Sequence, residues 1–384
     1  MATTKVTNES WFTRLKNALG GIVFGIILLV VTVGCLFWNE GRAVKRAQDL
    51  AEGAGAVVSV QVDKRDTENE GKLVHMSGTA TTEETLTDDT FRISSSQTIK
   101  LSREVEMYQW KENEDKKTEK KTGGGTTTTT TYTYKQVWSS YIIKSDSFHE
   151  SGHKNPASMP YKSESKSAHN VTLGAFTLSS SLIERISQFE VFPLNDSTMA
   201  KLPVNLQKQI KLNGNEYYMG TNPSDPQIGD LKIRFKIVKP CAISIISKQT
   251  NNTFTPYKTR TGGQIEEIRM GTMSAEEMFQ KAKEENTILT WIIRVIGFIA
   301  IIIGIGFILK PIEVLADVIP FVGNIVGTGL AIITFLVAIP IWTITVAVAW
   351  IYYRPLIGIP LLVIALGGIV GVIYLVFMRK KAKD

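Results

Sequence analysis

One spacing in the chain matches a known catalytic pattern, His149-Glu150-Ser151-Gly152-His153. On a helix, two imidazoles four residues apart share a face and can bind one zinc ion, while the glutamate between them acts as general base. The surroundings oppose that chemistry. Gly152 lies inside the would-be helix, Pro156 follows three residues after His153, and Ser145-Asp146-Ser147 is turn-like. A catalytic zinc also needs a third protein ligand, and outside this motif the histidines are His75 and His169. The match is therefore read as a loop, with no catalytic residue, metal or cofactor expected, and a zinc-dependent hydrolase using His149, Glu150 and His153 stands as the alternative. Cysteine offers no further chemistry, since Cys35 sits in an apolar run and Cys241 stands alone in the polar middle of the chain.

The elements that hold these residues fall into two populations. Of the 384 residues, those near both ends are strongly apolar, whereas the middle is rich in Thr, Ser and Lys. The net charge of +7 is spread among interleaved Asp and Glu, which argues against nucleic acid as a partner. Residues 1–16 form a polar tail with Trp11-Phe12 and the basic Arg14 and Lys16 before an uncharged run, 17–39. At ~1.5 Å per residue that run covers the ~30 Å hydrocarbon layer. A cleaved signal peptide fits less well, because Phe37-Trp38-Asn39-Glu40 is a poor cleavage site. Further spans are expected at 287–309, ending at Lys310-Pro311, at 318–353 with an interfacial segment over Val318 to Phe321, and at 355–377 before a basic tail, 378–384. Pro340 leaves open a division of 318–353 into two crossings. Gly21, Gly25, Gly297, Gly304, Gly367 and Gly371 are candidates for close helix packing. Arg294 and Asp317 are the charges nearest the apolar runs and lie at expected interfaces, so a pore or transporter is a second, weaker alternative.

Residues 40–286 read as a mainly β (α+β) domain. A helix continues from the first span until Gly53 and Gly55, and then β-branched residues alternate in short runs such as Val57–Val62, Lys72–Gly78 and Val105–Trp110. Residues 111–131, Glu/Lys-rich and then Gly/Thr-rich, are expected to be a disordered hairpin tip. In Gly229–Val238, Leu231, Ile233, Phe235 and Ile237 share one face, with Lys232, Arg234 and Lys236 on the wet one. Cys241–Lys248 is expected to pair with it. Ser274-Ala275-Glu276-Glu277 is a capping box opening a helix into the second span.

Asn39-Glu40-Gly41-Arg42-Ala43, Asn69–His75, Val105–Trp110, Gly152-His153-Lys154-Asn155-Pro156, Gly229-Asp230-Leu231, Ser274–Glu277 and Tyr353-Arg354-Pro355-Leu356 occur in order over about residues 11 to 380. Together they resemble the transmembrane protein 43 family, also called LUMA. The resemblance implies a multi-pass α-helical membrane protein with four spans and a large lumenal or periplasmic domain between the first two. It further implies a self-associating scaffold without chemistry of its own, in contact with membrane lipids and with emerin- and lamin-type partners. The implied place is the endoplasmic reticulum and inner nuclear membrane of a eukaryote, or the cell membrane of a bacterium. Both termini are expected on the cytosolic or nucleoplasmic side, from the basic tail and four-span parity. The family has no accepted catalytic residues to carry over.

Overall fold

The computed structural model describes residues 3–356 and 359–360, and the chain divides into two compact units. The first is built on Ala51–Lys116 and Thr130–Lys281, and the second on Val6–Leu50, Lys117–Thr129 and the residues from Ala282 on.

The first unit is mainly β. Two mainly antiparallel sheets share one apolar core. The larger runs through the strands Ile210–Asn213, Glu216–Met219, Leu231–Val238 and Lys100–Lys120, and the smaller through Phe176–Thr177, Thr172–Leu173, Leu73–Thr81, Cys241–Thr250 and Thr253–Thr255. The alternation in Leu231–Val238 is realised. Leu231, Ile233, Phe235 and Ile237 are buried with Val105, Met107, Met76 and Ile245. On the other face, Arg234 meets Glu216 at 3.0 Å and Glu106 at 3.2 Å, Lys236 meets Glu104 at 2.7 Å, and Lys232 lies 4.4 Å over the Trp138 ring. These cations are matched within the sheet, as cross-strand pairs should be.

The expected pairing of Cys241–Lys248 with Gly229–Val238 is not formed. Leu231–Val238 pairs with Lys100–Met107, while Cys241–Lys248 pairs with Leu73–Ala80 in the other sheet. After Lys239-Pro240 the chain crosses from sheet to sheet, which lets both strands face the same core.

Residues 111–131 also differ from expectation, because they are ordered. One strand runs to Lys120 and the next begins at Thr126, joined through Gly123 and Gly124 at φ of 91° and 79°, where glycine is favoured. Threonine is a strand former once it has a partner. Here Thr126–Ser139 has neighbours on both sides, Lys100–Lys120 and the N-terminal strand Thr3–Glu9.

The second unit holds three long helices, Trp11–Ala56, Ala275–Ala316 and Pro320–Tyr353, each long and apolar enough to cross a membrane. Three such helices are found among the described residues. The expected fourth span, 355–377, lies almost wholly outside those residues, so four spans are not supported. Pro311 was expected to end the second span, yet the helix runs through it to Ala316, and Lys310 with Glu313 bridges the next turn at 2.9 Å. Pro340 likewise lies inside one continuous helix, which removes the two-crossing reading of 318–353. Val318 and Ile319 lie in a tight turn, and Pro320 opens the third helix.

Residues 117–129 belong to this unit. The Gly123 N–H donates to the Val318 carbonyl at 3.0 Å, and Lys120 meets Asp317 at 2.6 Å and Glu313 at 3.2 Å. Arg14 donates to the Gly124 carbonyl and meets Asp317 at 2.5 Å. Lys121 Nζ reaches Asn8 Oδ1 at 3.0 Å. The hairpin tip meets the helix ends that carry Arg14 and Asp317. Cysteines replacing Asn8 and Lys121, in a background lacking Cys35 and Cys241, are expected to be labelled by an impermeant thiol reagent from the same membrane face and to crosslink. Labelling from opposite faces would retain a one-sided domain and overturn the tip contact.

Candidate functional site

The polar residues of Asn39–Arg42 stand where the apolar run of the first helix ends, and they meet the second and third helices there. Glu40 is 1% exposed and Arg294 is 7% exposed. A carboxylate buried in such surroundings is costly unless a cation and further donors meet it. Both are supplied. Arg294 grips Glu40 with two parallel bonds, Nε to Oε1 at 2.6 Å and Nη2 to Oε2 at 2.8 Å, and the Trp350 indole N–H donates to Oε2 at 2.9 Å. The Trp342 indole N–H holds the Arg294 carbonyl at 3.0 Å. The guanidinium also lies 4.7 Å over the Trp291 ring and 5.7 Å from the Trp350 ring.

A second layer sits beside the first. Arg42 donates to Asn286 Oδ1 at 3.0 Å and to Asn39 Oδ1 and Thr290 Oγ1, each at 3.1 Å, while Asn39 Nδ2 reaches the Thr290 carbonyl at 3.3 Å. Gly41 is small for a reason, since a Cβ there would stand 2.5 Å from the Tyr353 ring. Arg354 lies 5.4 Å over the Trp350 ring. Thus Asn39, Glu40, Gly41, Arg42 and the Tyr353-Arg354 pair, more than 300 residues apart in the chain, form one cluster. Pro355 directly follows it.

The packing glycines line the same helix pair. A Cβ on Gly25 would fall 2.6 Å from the Gly304 carbonyl oxygen, one on Gly304 2.9 Å from Leu29, one on Gly297 2.5 Å from Leu36, and one on Gly21 3.2 Å from Phe307. Backbones approach at these points only because no side chain intervenes. Gly367 and Gly371 lie outside the described residues.

The remaining motif residues sit in the β unit and are engaged locally. His75 Nε2 lies 2.8 Å from the Met273 carbonyl and Nδ1 lies 3.2 Å from Ser59 Oγ. A carbonyl can only accept, so Nε2 carries the proton and Nδ1 accepts from the serine. Burial pushes this imidazole below its ordinary pKa, partly opposed by the Met273 carbonyl. Asn155 closes the end of a strand, accepting from the Trp110 N–H at 2.7 Å and donating to the Trp110 and Ile143 carbonyls at 2.8 and 3.0 Å. Pro156 packs near Gly229, and Gly152 and Lys154 are exposed. His153 stacks on Tyr134 with ring centres 3.8 Å apart and meets the edge of Trp110 at 4.6 Å, while His149 stacks on Tyr132 at 4.2 Å. Residues 149–152 are bends and turns and His153 is irregular, so no part of the motif is helical. Among the described residues, no three His, Cys, Asp or Glu side chains gather where a metal ion could be held. The neighbouring Tyr134 hydroxyl is pushed up to about 12 by burial and by its bond to Glu112 at 2.5 Å.

Reasoning from sequence singled out Glu40 and Arg294 separately and missed that they pair. It also missed Trp342, Trp350, Asn286 and Thr290. The available signal was an acid just after one span facing a base just inside the next.

Two predictions follow from this geometry. Replacing Glu40 or Arg294 alone with Leu strands the other charge in low dielectric, and each change is expected to destabilise the helix assembly by about 3–5 kcal/mol. The double replacement should cost less than either, read as thermal stability of the purified full chain in detergent. Singles no worse than the double would show that the pair is not what holds the helices. For His75, the lowered folded-state pKa means that the unfolded chain binds the proton more readily. Its contribution is therefore intact above the ordinary pKa of about 6.5 and is lost as pH falls from there toward the folded value. A His75→Gln protein should show a flatter decline in melting temperature between about pH 7 and 5.

The model of the transmembrane protein 43 family matches residues 107–355. Over 367 residues the chain is 33% identical to mouse transmembrane protein 43, covering 92% of this chain and 90% of the mouse protein. The human protein is 33% identical over 362 residues, covering 91% and 88%, and the fruit-fly homologue is 29% identical over 355 residues, covering 88% and 90%. No solved structure matches. The matched segment contains Arg294, Trp350 and Arg354, and the longer alignments cover nine-tenths of the chain. The chain belongs to the transmembrane protein 43 family.

Proposed function

We propose that this protein is an integral-membrane scaffold that organises protein complexes and self-associates. One observation carries the reading: Glu40, His75 and Asn155, from the sequence blocks that carry the resemblance, are engaged in holding the protein together. Glu40 is bound by Arg294 and Trp350, Asn155 by the backbone of Trp110 and Ile143, and His75 by Met273 and Ser59. Residues kept for chemistry would present a reactive atom to a cleft, whereas residues kept for assembly would fix a surface. In a eukaryotic cell the proposed place is the endoplasmic reticulum and inner nuclear membrane, with emerin- and lamin-type proteins as partners. In a bacterium it is the cell membrane.

The test is proximity labelling in the native cell, with the labelling enzyme inserted at Gly214, a turn position with open space around it. A reproducible set of membrane proteins, enriched over an unrelated multi-pass control and including a second, differently tagged copy of this chain, is expected. Neighbours identical to those of the control would end the scaffold reading.

A further inference from the structure

Beside the Glu40–Arg294 pair, the second unit contains a cavity of about 420 Å³ bounded by Lys283, Asn286, Trp291, Arg294, Trp350 and Arg354, among others. Its charges do not balance. Arg294 is neutralised by Glu40, but Lys283 and Arg354 have no carboxylate partner among the described residues. Two tryptophans flank the cations, and Trp291 is 52% exposed. On the same helix, beginning one turn away, Ile288, Leu289, Ile292, Val295 and Ile296 face outward. Cations, indole rings and an outward apolar face thus lie within a few turns of one another, the three features that a lipid's phosphate, glycerol region and acyl chains would use.

We propose that this cavity binds the phosphate of an anionic phospholipid. Lys283 and Arg354 supply the charge, Asn286 and the guanidinium of Arg294 shape the pocket, and the acyl chains lie on the Ile288–Ile296 face. Free inorganic phosphate shares the headgroup chemistry but has nothing to place on that face, so the lipid is the favoured source. Glu40 has a second consequence here. By compensating Arg294 it leaves Lys283 and Arg354 as the lining cations without a carboxylate partner among the described residues.

The full chain is reconstituted in nanodiscs of phosphatidylcholine with phosphatidylglycerol, re-extracted in mild detergent, and the retained lipid is identified by native mass spectrometry. Phosphatidylglycerol should be enriched over phosphatidylcholine in the protein-bound fraction. In Lys283→Gln/Arg354→Gln the enrichment should fall about twentyfold, since each cation near a lipid headgroup is worth roughly fivefold in binding. Lys258→Gln, which lies outside the cavity, should leave it unchanged. Should the double variant fail to fold, Lys283→Gln alone, at an exposed position, is expected to lower enrichment about fivefold, while Arg354→Lys retains most of it. Equal retention of the two lipids by the unaltered protein, or undiminished enrichment in the Lys283 variant, overturns the proposal. A parallel titration with inorganic phosphate in phosphatidylcholine nanodiscs separates the sources. Saturable phosphate binding that depends on Lys283, without lipid enrichment, would also overturn it.

Discussion

A buried carboxylate at the edge of hydrocarbon is tolerable only with a partner that is itself held in place, and the Glu40–Arg294 pair meets that condition with two parallel bonds and an indole donor. Much else in the second unit depends on it. The pair fixes how far the first helix can slide along the second. The same antiparallel register brings Leu36 to Gly297, Leu29 to Gly304 and Arg14 to Asp317. A slip of one helical turn, ~5.4 Å, would leave Glu40 unpaired, part Arg14 from Asp317 and set side chains where Gly25 and Gly304 now allow the backbones to touch. Ion pairs thus specify the register, and glycines permit the closeness that makes it tight.

The two ion clusters also bracket the apolar length. Arg294 and Asp317, which stands in the turn just past the end of the same helix at Ala316, are 23 residues apart, or ~35 Å at ~1.5 Å per residue. That is close to the ~30 Å hydrocarbon thickness plus a margin at each interface. Charge is admitted at the two ends, where water and headgroups are within reach. Between them the pair of helices is held by packing, as expected where apolar burial gives no preference for protein over lipid.

Much of this was legible in the sequence. The spans follow from uncharged length, the Ser274–Glu277 cap from its residue types, and the wet and dry faces of Leu231–Val238 from a period of two. The cap is present, with the Glu277 N–H on Ser274 Oγ at 3.2 Å and the Ser274 N–H on Glu277 Oε2 at 2.7 Å. What was not legible depends on partners distant in sequence. The sheet change after Pro240 is set by Leu73–Thr81, and the order of Thr126–Thr131 by the strands on either side. The passage of helices through Pro311 and Pro340 reflects neighbours that hold the chain straight when one backbone bond is lost. Local composition speaks to what a segment prefers alone, and each of these segments is overruled by what lies beside it.

The His149–His153 spacing shows the same limit for chemistry. Four residues bring two imidazoles together only if the intervening chain is helical, and here it is not. Each ring is instead stacked on a tyrosine, His149 on Tyr132 and His153 on Tyr134. Those tyrosines lie two apart on one strand face and are therefore spaced by ~7 Å. Imidazoles laid flat on them inherit that spacing, whereas nitrogens sharing one zinc must each come within ~2.1 Å of it. The motif's residue types are present, but no helix sets them on a shared face, and each ring lies against a tyrosine instead. What the pattern encodes here is an aromatic ladder, with Trp110 and Phe148 at its sides, that closes the loop onto the sheet.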